Sequence, residues 1–411
     1  MAKPKKQHVN FSEYKKKIIP KIKSKKGFGE NKKETFELDS NKKKRAITLI
    51  NEGNLLEAEV IYRDLLKRGT EDHIVIGNLA ALFSIKGEKK EAKKLLNEAL
   101  KYKPDFSDAH NNLAILQKDE GDLNTAINSF RKAIQHRPDY SEAHCNLGVS
   151  LIQKGNLNEA IESFQKAIKY KPSYPEAFYY IGNIHKTLGE VNKAINSYKL
   201  AIKYKPKYPE ALNNLGLSYK AENNVDLAIS CFKKAINLKT DYSEALNNLG
   251  NTYRELGNFK DAINYLGQAI SSKPDFAEAI NNLGTAYEEE EKFKTSINYY
   301  EKAIKIKPDY PEAYFNLANS LRSEGQIKKA IRYYNHAISL KPNFPSAYKN
   351  LSLAELLSND YESGWIHHEW RWKIKNSKKP HAEPKTSRWE GEVLKKERLL
   401  IVSEQGFGDT L

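Results

Sequence analysis

Residues 245–284 read ALNNLGNTYRELGNFKDAINYLGQAISSKPDFAEAINNLG, and the opening motif ALNNLG returns as AINNLG at the end of the stretch. The two copies begin at Ala245 and Ala279 and are 34 residues apart. Between them lie two segments whose apolar residues recur at helical spacing, separated by a glycine turn and closed by Pro274. The stretch predicts a helical hairpin that repeats along the chain.

The same period extends on both sides of this stretch, as expected for a repeat architecture. A proline marks position 32 of each unit, with Thr240 in the single gap: Pro104, Pro138, Pro172, Pro206, Pro274, Pro308 and Pro342. Eight units follow without insertions: 73–106, 107–140, 141–174, 175–208, 209–242, 243–276, 277–310 and 311–344. Position 8 is always Gly or Ala, and position 27 is always Ala.

The chemistry of these positions explains how each hairpin folds. Small residues at positions 8, 20 and 27 allow two helices to approach closely, and the large apolar residue at position 24 fills the remaining space. Glycine at position 15 permits the positive φ that ends the first helix. Asn223 at that position also adopts such a φ, whereas Glu291 adopts it only with strain. Proline at position 32 stops the second helix.

This pattern resembles the tetratricopeptide repeat, over about residues 39–374. The resemblance implies an all-α fold, a right-handed superhelix of stacked hairpins (an α-solenoid). We expect a degenerate first repeat at 39–72, the eight full repeats at 73–344, and a degenerate repeat with a capping helix at 345–374. Terminal repeats are atypical because one face has no neighbour.

The two ends differ from the array. Residues 1–38 are rich in lysine and poor in large apolar residues, which predicts a disordered basic tail. Residues 375–397 predict a linker. Residues 398–411, RLLIVSEQGFGDTL, predict a buried strand and a glycine loop of a truncated α/β domain, with backbone N–H groups placed for a phosphate.

An asparagine recurs at position 6 of the first helix, the helix that lines the inside of such a superhelix. The predicted peptide-binding residues are Asn78, Asn112, Asn146, Asn214, Asn248, Asn282, Asn316 and Asn350, with Tyr180 interrupting the series. Asparagine weakens a helix relative to alanine, and its amide can both donate to and accept from a peptide backbone. The alternative is that each amide satisfies a neighbouring loop carbonyl.

The motif A-x-x-N-L-G, at 211–216, 245–250 and (as AINNLG) 279–284, resembles the repeats of O-linked N-acetylglucosamine transferase. In that family the corresponding asparagines hold the substrate polypeptide. Residues 398–411 resemble the start of a GT-B glycosyltransferase domain, and Gln405, Gly406, Gly408 and Asp409 would belong to its first loop. The resemblance implies the substrate-recognition part of a protein glycosyltransferase whose catalytic domain is absent. A scaffold unrelated to glycosylation is the alternative.

Other positions add polar and basic groups to the same helices. Position 5 contributes Asn111, Tyr179, Asn213, Asn247, Asn281 and Phe315, and position 12 contributes Lys118, Lys186, Lys220, Arg254 and Arg322. These side chains suit acidic or Ser/Thr-rich protein segments, although a solvated charged face explains them equally well.

Charge distribution and composition bear on the ligands, the chemistry and the location expected for this chain. Of the net charge of +16, residues 1–45 carry +11, so the array itself is close to neutral, which argues against nucleic-acid binding. His367, His368 and Glu369 are adjacent and do not share a helix face, which argues against a metal site. We expect no catalytic residues and no cofactor in this chain, no membrane span and no secretory signal, and a cytoplasmic location.

Overall fold

The computed structural model describes residues 30–67 and 72–374, with side chains from Asp39 onward. Within these ranges the chain is helical and contains no β-strand. The all-α prediction is therefore confirmed for the described residues. The linker expected at 375–397, the strand and loop expected at 398–411, and most of the tail expected at 1–38 lie outside them.

The chain divides into two units, residues 1–224 and 225–411, each described by itself. The described residues of unit 1 form eleven helices: α1 (Glu30–Glu52), α2 (Leu55–Lys67), α3 (His73–Lys86), α4 (Lys89–Tyr102), α5 (Ser107–Asp119), α6 (Leu123–His136), α7 (Ser141–Lys154), α8 (Leu157–Tyr170), α9 (Pro175–Thr187), α10 (Val191–Tyr204) and α11 (Pro209–Ala221). Helix α1 begins at Glu30, ahead of residue 39, where the repeat register places the start of the array.

In unit 2, residues 225–374 form nine α-helices: α12 (Val225–Leu238), α13 (Ser243–Glu255), α14 (Phe259–Ser272), α15 (Ala277–Glu289), α16 (Phe293–Ile306), α17 (Pro311–Ser323), α18 (Ile327–Leu340), α19 (Pro345–Leu357) and α20 (Tyr361–His368). A 3-10 turn, Glu369–Lys373, follows α20. Inside each unit consecutive helices pack as antiparallel pairs, and each pair packs on the next, as in a tetratricopeptide solenoid.

Each hairpin closes through the contact between positions 8 and 24. A Cβ added to Gly182 would lie 2.6 Å from the ring of Tyr198, and one added to Gly284 would lie 2.7 Å from the ring of Tyr300. Both rings are fully buried. The small residue at position 8 is therefore required by the bulk of the residue at position 24.

The turns inside the hairpins follow the glycine prediction. Seven glycines at position 15 have positive φ: Gly53, Gly87, Gly121, Gly155, Gly189, Gly257 and Gly325. Asn223 and Asn359 take the same conformation. Glu291 also adopts it, with φ of 59°, because the flanking helices fix the turn. An ordinary side chain in this region costs about 1–2 kcal/mol.

The seam between successive hairpins is formed by isoleucines of the second helices. Ile297 and Ile304, at positions 21 and 28 of one repeat, pack with Leu317 and Leu321 in the first helix of the next. In the repeats from 107 onward position 21 is always isoleucine and is buried or half-buried: Ile127, Ile161, Ile195, Ile229, Ile263, Ile297 and Ile331. The next hairpin thus covers the apolar side of the one before it.

Candidate functional site

Five of the predicted amides at position 6 bond to the preceding repeat. In unit 2 the Nδ2 of Asn282 donates to the Oδ1 of Asn247 at 3.0 Å, and the Nδ2 of Asn316 donates to the Oδ1 of Asn281 at 3.1 Å. In each case a position-6 amide contacts the position-5 amide of the previous first helix, as Asn146 does with Asn111 in unit 1 at 3.2 Å. The amides therefore bridge neighbouring repeats.

Two position-6 amides reach a different acceptor, at position 9 of the previous repeat. The Nδ2 of Asn214 donates to the Oδ1 of Asn183 at 2.8 Å, and the hydroxyl of Tyr198 donates to the same oxygen at 2.7 Å. In unit 2, Asn350 and Tyr334 bond to the Oδ1 of Asn319 with the same two distances.

The role of position 9 was not foreseen from the sequence. Its signal is the coincidence of asparagine at position 9 with tyrosine at position 24 of the same repeat, seen at Asn183 with Tyr198 and at Asn319 with Tyr334. The bridging amides at position 6 bond to side chains of other helices. The alternative, in which each amide satisfies a loop carbonyl, therefore does not apply to them.

The amides at position 6 remain partly accessible after these bonds form. The side chains of Asn112, Asn146, Asn214, Asn248, Asn282, Asn316 and Asn350 are all half-buried. Their position-5 partners lie deeper, since Asn111, Asn247 and Asn281 are at most 5% exposed. Each bridging amide uses one N–H in the bond described above, whereas a primary amide has two N–H donors and a carbonyl acceptor.

Asn78 differs from the other predicted residues. It is 2% exposed, and neither polar atom of its amide has a hydrogen-bond partner. A buried amide cannot reach a ligand, so Asn78 does not belong to the accessible row. The break at Tyr180 is also plain: its ring stacks on Phe164, with centroids 5.4 Å apart, where the other repeats place an amide.

The basic residues at position 12 divide into two kinds. In unit 1, Lys118 is half-buried and Lys186 is exposed. Neither forms a hydrogen bond or ion pair among the described residues, and desolvation lowers the pKa of both ammonium groups. In unit 2, Arg254 is paired with Glu289. Glu288 occupies position 12 of the following repeat and accepts a hydrogen bond from Tyr300, and burial raises its pKa.

The described residues provide little else that resembles a chemical site. In residues 30–67 and 72–374 no group of three or more His, Cys, Asp or Glu side chains is placed to hold a metal ion. Of the adjacent residues considered for metal binding, His367 bonds to Glu355 and His368 to Ser352. Cys145 and Cys231 are free and buried. No helix in the described part of the chain is both long and apolar enough to cross a membrane.

Comparison with known proteins agrees with the repeat register. Family models described as "TPR repeat" or "Tetratricopeptide repeat" match residues 75–106, 117–154, 150–189, 183–222, 208–275, 247–311 and 311–344. No curated protein matches the chain at a significant level.

Several solved structures share parts of the fold. MamA is 27% identical over 40% of this chain and 97% of its own length, with a TM-score of 0.38. A tetratricopeptide repeat protein from Parabacteroides merdae is 21% identical over 60% of this chain and 98% of its own, with a TM-score of 0.49. YrrB, described as a TPR protein with an unusual peptide-binding site, is 23% identical over 45% and 95%, with a TM-score of 0.39. Because the repeat models together match more than half of its residues, the chain belongs to the tetratricopeptide-repeat family.

Proposed function

We propose that this protein binds an extended polypeptide along the first helices of its repeats, through the row of half-buried amides at position 6. The tetratricopeptide fold is typical of protein–protein interaction. The observation that carries the proposal is a difference in burial between the two amides of each pair. The position-5 partner is buried, and the position-6 amide, although it bridges two repeats, keeps part of its surface in water.

The chemistry of this row suits a peptide backbone. A backbone offers one N–H and one C=O per residue, and a primary amide can pair with either. The inter-repeat bonds hold each amide in a fixed orientation, so less side-chain freedom is lost when a ligand binds. Such a row selects for an extended conformation and tolerates different side chains.

The unpaired lysines of unit 1 favour an acidic segment as the ligand. Lys118 is half-buried, Lys186 is exposed, and neither has a bonded partner among the described residues. Their lowered pKa values reflect the loss of hydration. A carboxylate or a phosphorylated hydroxyl beside them would restore charge-assisted hydrogen bonds. The equivalent Arg254 in unit 2 already has Glu289.

The more specific proposal is that the bound polypeptide is the acceptor of a protein glycosyltransferase. Two sequence resemblances support it, that of the A-x-x-N-L-G motifs and that of residues 398–411. Of these, only residues 398–411 lie outside the described residues. Enrichment of Ser/Thr-bearing peptides over matched peptides with Ala in their place would support it. Equal binding of both sets would favour a general scaffold.

A binding experiment can separate ligand contact from repeat stability. The test variant is Asn282→Ala/Asn316→Ala, and the matched control is Asn247→Ala/Asn281→Ala, which breaks the same two inter-repeat bonds but leaves the accessible amides in place. With peptides selected from a random-sequence library as probe, losing two ligand hydrogen bonds should weaken binding by about 5- to 150-fold. The control should lose less affinity than the test variant, because it keeps both accessible amides and loses only the bonds that orient them. Equal losses in both variants would refute the proposal.

A further inference from the structure

The last hairpin exposes a group of large apolar side chains. We define the terminal apolar face as Leu357, Tyr361, Trp365 and Ile366, at the end of α19 and along α20. These four side chains are 65%, 58%, 60% and 64% exposed. Large apolar residues in contiguous exposed patches mark interaction sites, whereas single ones need no explanation.

Two of the four residues occupy positions that the array normally covers. Trp365 is at position 21, where the preceding repeats have an isoleucine buried or half-buried under the next hairpin. Tyr361 is at position 17, where the repeats from 107 onward have a half-buried apolar residue: Leu123, Leu157, Val191, Val225, Phe259, Phe293 and Ile327. The end of a stack alone would account for exposure at these two positions.

The other two residues are not explained by the end of the stack. Position 22, occupied by Ile366, is polar in every full repeat: Lys94, Asn128, Glu162, Asn196, Ser230, Asn264, Asn298 and Arg332. Position 13, occupied by Leu357, is Glu255, Glu289 and Ser323 in the three preceding repeats of unit 2. Here the chain replaces polar residues by large apolar ones that no described residue buries.

Other side chains of the same hairpin already pack against one another. Trp370 stacks on Tyr348 with ring centroids 3.9 Å apart, and the ammonium of Lys373 lies 3.5 Å from the Trp370 ring. Gly364 packs against Leu356, since an added Cβ would lie 2.7 Å from that side chain. The terminal apolar face is therefore not needed to close the hairpin and is available to a further partner.

We propose that the terminal apolar face is a docking surface for a later segment of this same chain, residues 389–402, in place of the buried strand that the sequence predicts from residue 398. That segment reads WEGEVLKKERLLIV and contains seven large apolar residues: Trp389, Val393, Leu394, Leu399, Leu400, Ile401 and Val402. Its apolar side chains match the chemistry of the face. Contact between the segment and the face would remove apolar surface from water, which stabilises the contact.

Chain length makes this occupant favoured over a second molecule. The described residues end at Ile374, next to α20, and residues 375–388 span at most about 45–50 Å when extended. Helix α20 is only about 12 Å long, so the segment reaches every point of the face. A short tether gives an effective concentration on the order of millimolar, which exceeds ordinary protein concentrations.

Limited trypsin digestion of the full chain tests the docking. The segment contains Lys395, Lys396 and Arg398, and Lys385 provides an internal reference in the preceding stretch. The variant Leu357→Glu/Ile366→Asn places at both positions residues that other repeats already carry there. Cleavage after the three sites is expected to accelerate about tenfold or more in this variant, with Lys385 unchanged, because proteolysis follows the population of the open form.

The matched control is Leu227→Glu/Leu256→Glu, which removes two apolar residues of unit 2 that are 49% and 55% exposed and lie outside the terminal apolar face. It should digest as the parent does. Equal cleavage in parent and test variant would overturn the proposal. Protection that grows with protein concentration, together with a dimer in sedimentation, would also overturn it by assigning the face to a second copy.

Discussion

Replacing Asn282 by alanine provides a direct measure of the amide bridge between repeats. The substitution removes the 3.0 Å bond from Asn282 to Asn247 and leaves the Oδ1 of Asn247, a residue only 3% exposed, without that donor. A lost hydrogen bond that strands a buried acceptor destabilises by about 1–3 kcal/mol. Alanine regains up to about 0.7 kcal/mol of helix propensity. The expected net loss in the free energy of unfolding is about 0.5–2.5 kcal/mol.

The control for this prediction is Asn298→Ala, on the exposed side of α16, where no bond is lost. It should be neutral or slightly stabilising. Because repeat arrays unfold in parts, urea denaturation should be accompanied by native-state hydrogen exchange, with faster exchange expected in α13 and α15. The double variant Asn247→Ala/Asn282→Ala should lose less than the sum of the single losses, because both partners are removed. The bridge would be refuted if Asn282→Ala and Asn298→Ala had equal stability.

Three further substitutions, the first with a matched control, test the packing, the turns and a buried charge. Gly284→Val should destabilise the protein by about 1–3 kcal/mol because the new side chain clashes with the buried ring of Tyr300. Its control, Gly267→Ala, places a Cβ where nothing lies within 4 Å and should stabilise the protein by up to about 1 kcal/mol. Equal urea midpoints for the two variants would contradict this prediction. Glu291→Gly should stabilise by about 1 kcal/mol because it relieves the positive φ of 59°, and a lower midpoint than the parent would show that the turn is unstrained. Glu288→Gln should stabilise the protein at pH 7, since burial raises the pKa of Glu288 and its charged form disfavours folding above that pKa. This gain should vanish as the pH falls below the ordinary value of 4.5, where folded and unfolded parent are both protonated; a gain independent of pH would contradict it.

The repeat register and the internal packing of the hairpins could be predicted from the sequence because both depend on local spacing. Positions 8 and 24 are 16 residues apart within one hairpin, and only a small residue can face Tyr198 or Tyr300. The left-handed turn at position 15 follows from glycine itself. Glu291 shows that the flanking helices impose this turn even where the residue opposes it.

The candidate amides were also visible in the sequence as a recurring residue, but their partners were not. Asn214 bonds at 2.8 Å to Asn183, 31 positions earlier, and at 3.4 Å to the hydroxyl of Tyr179, 35 positions earlier, whereas Asn282 bonds to Asn247, 35 positions earlier. Both sequence separations connect first helices of neighbouring repeats. The acceptor therefore depends on which side chain the preceding first helix places within reach, the one at position 9, as with Asn183, or the one at position 5, as with Asn247. Only the packing of successive helices decides that.

The sequence by itself determined that the chain forms helical hairpins of 34 residues, because helix periodicity, glycine turns and proline stops act over a few residues each. The tertiary structure decided which asparagines are accessible: Asn78 is buried, and the other position-6 amides are half-exposed. It also decided that Leu357 and Ile366 face solvent at the last hairpin. Accessibility depends on what a neighbouring hairpin covers, and that is a property of the stacked molecule.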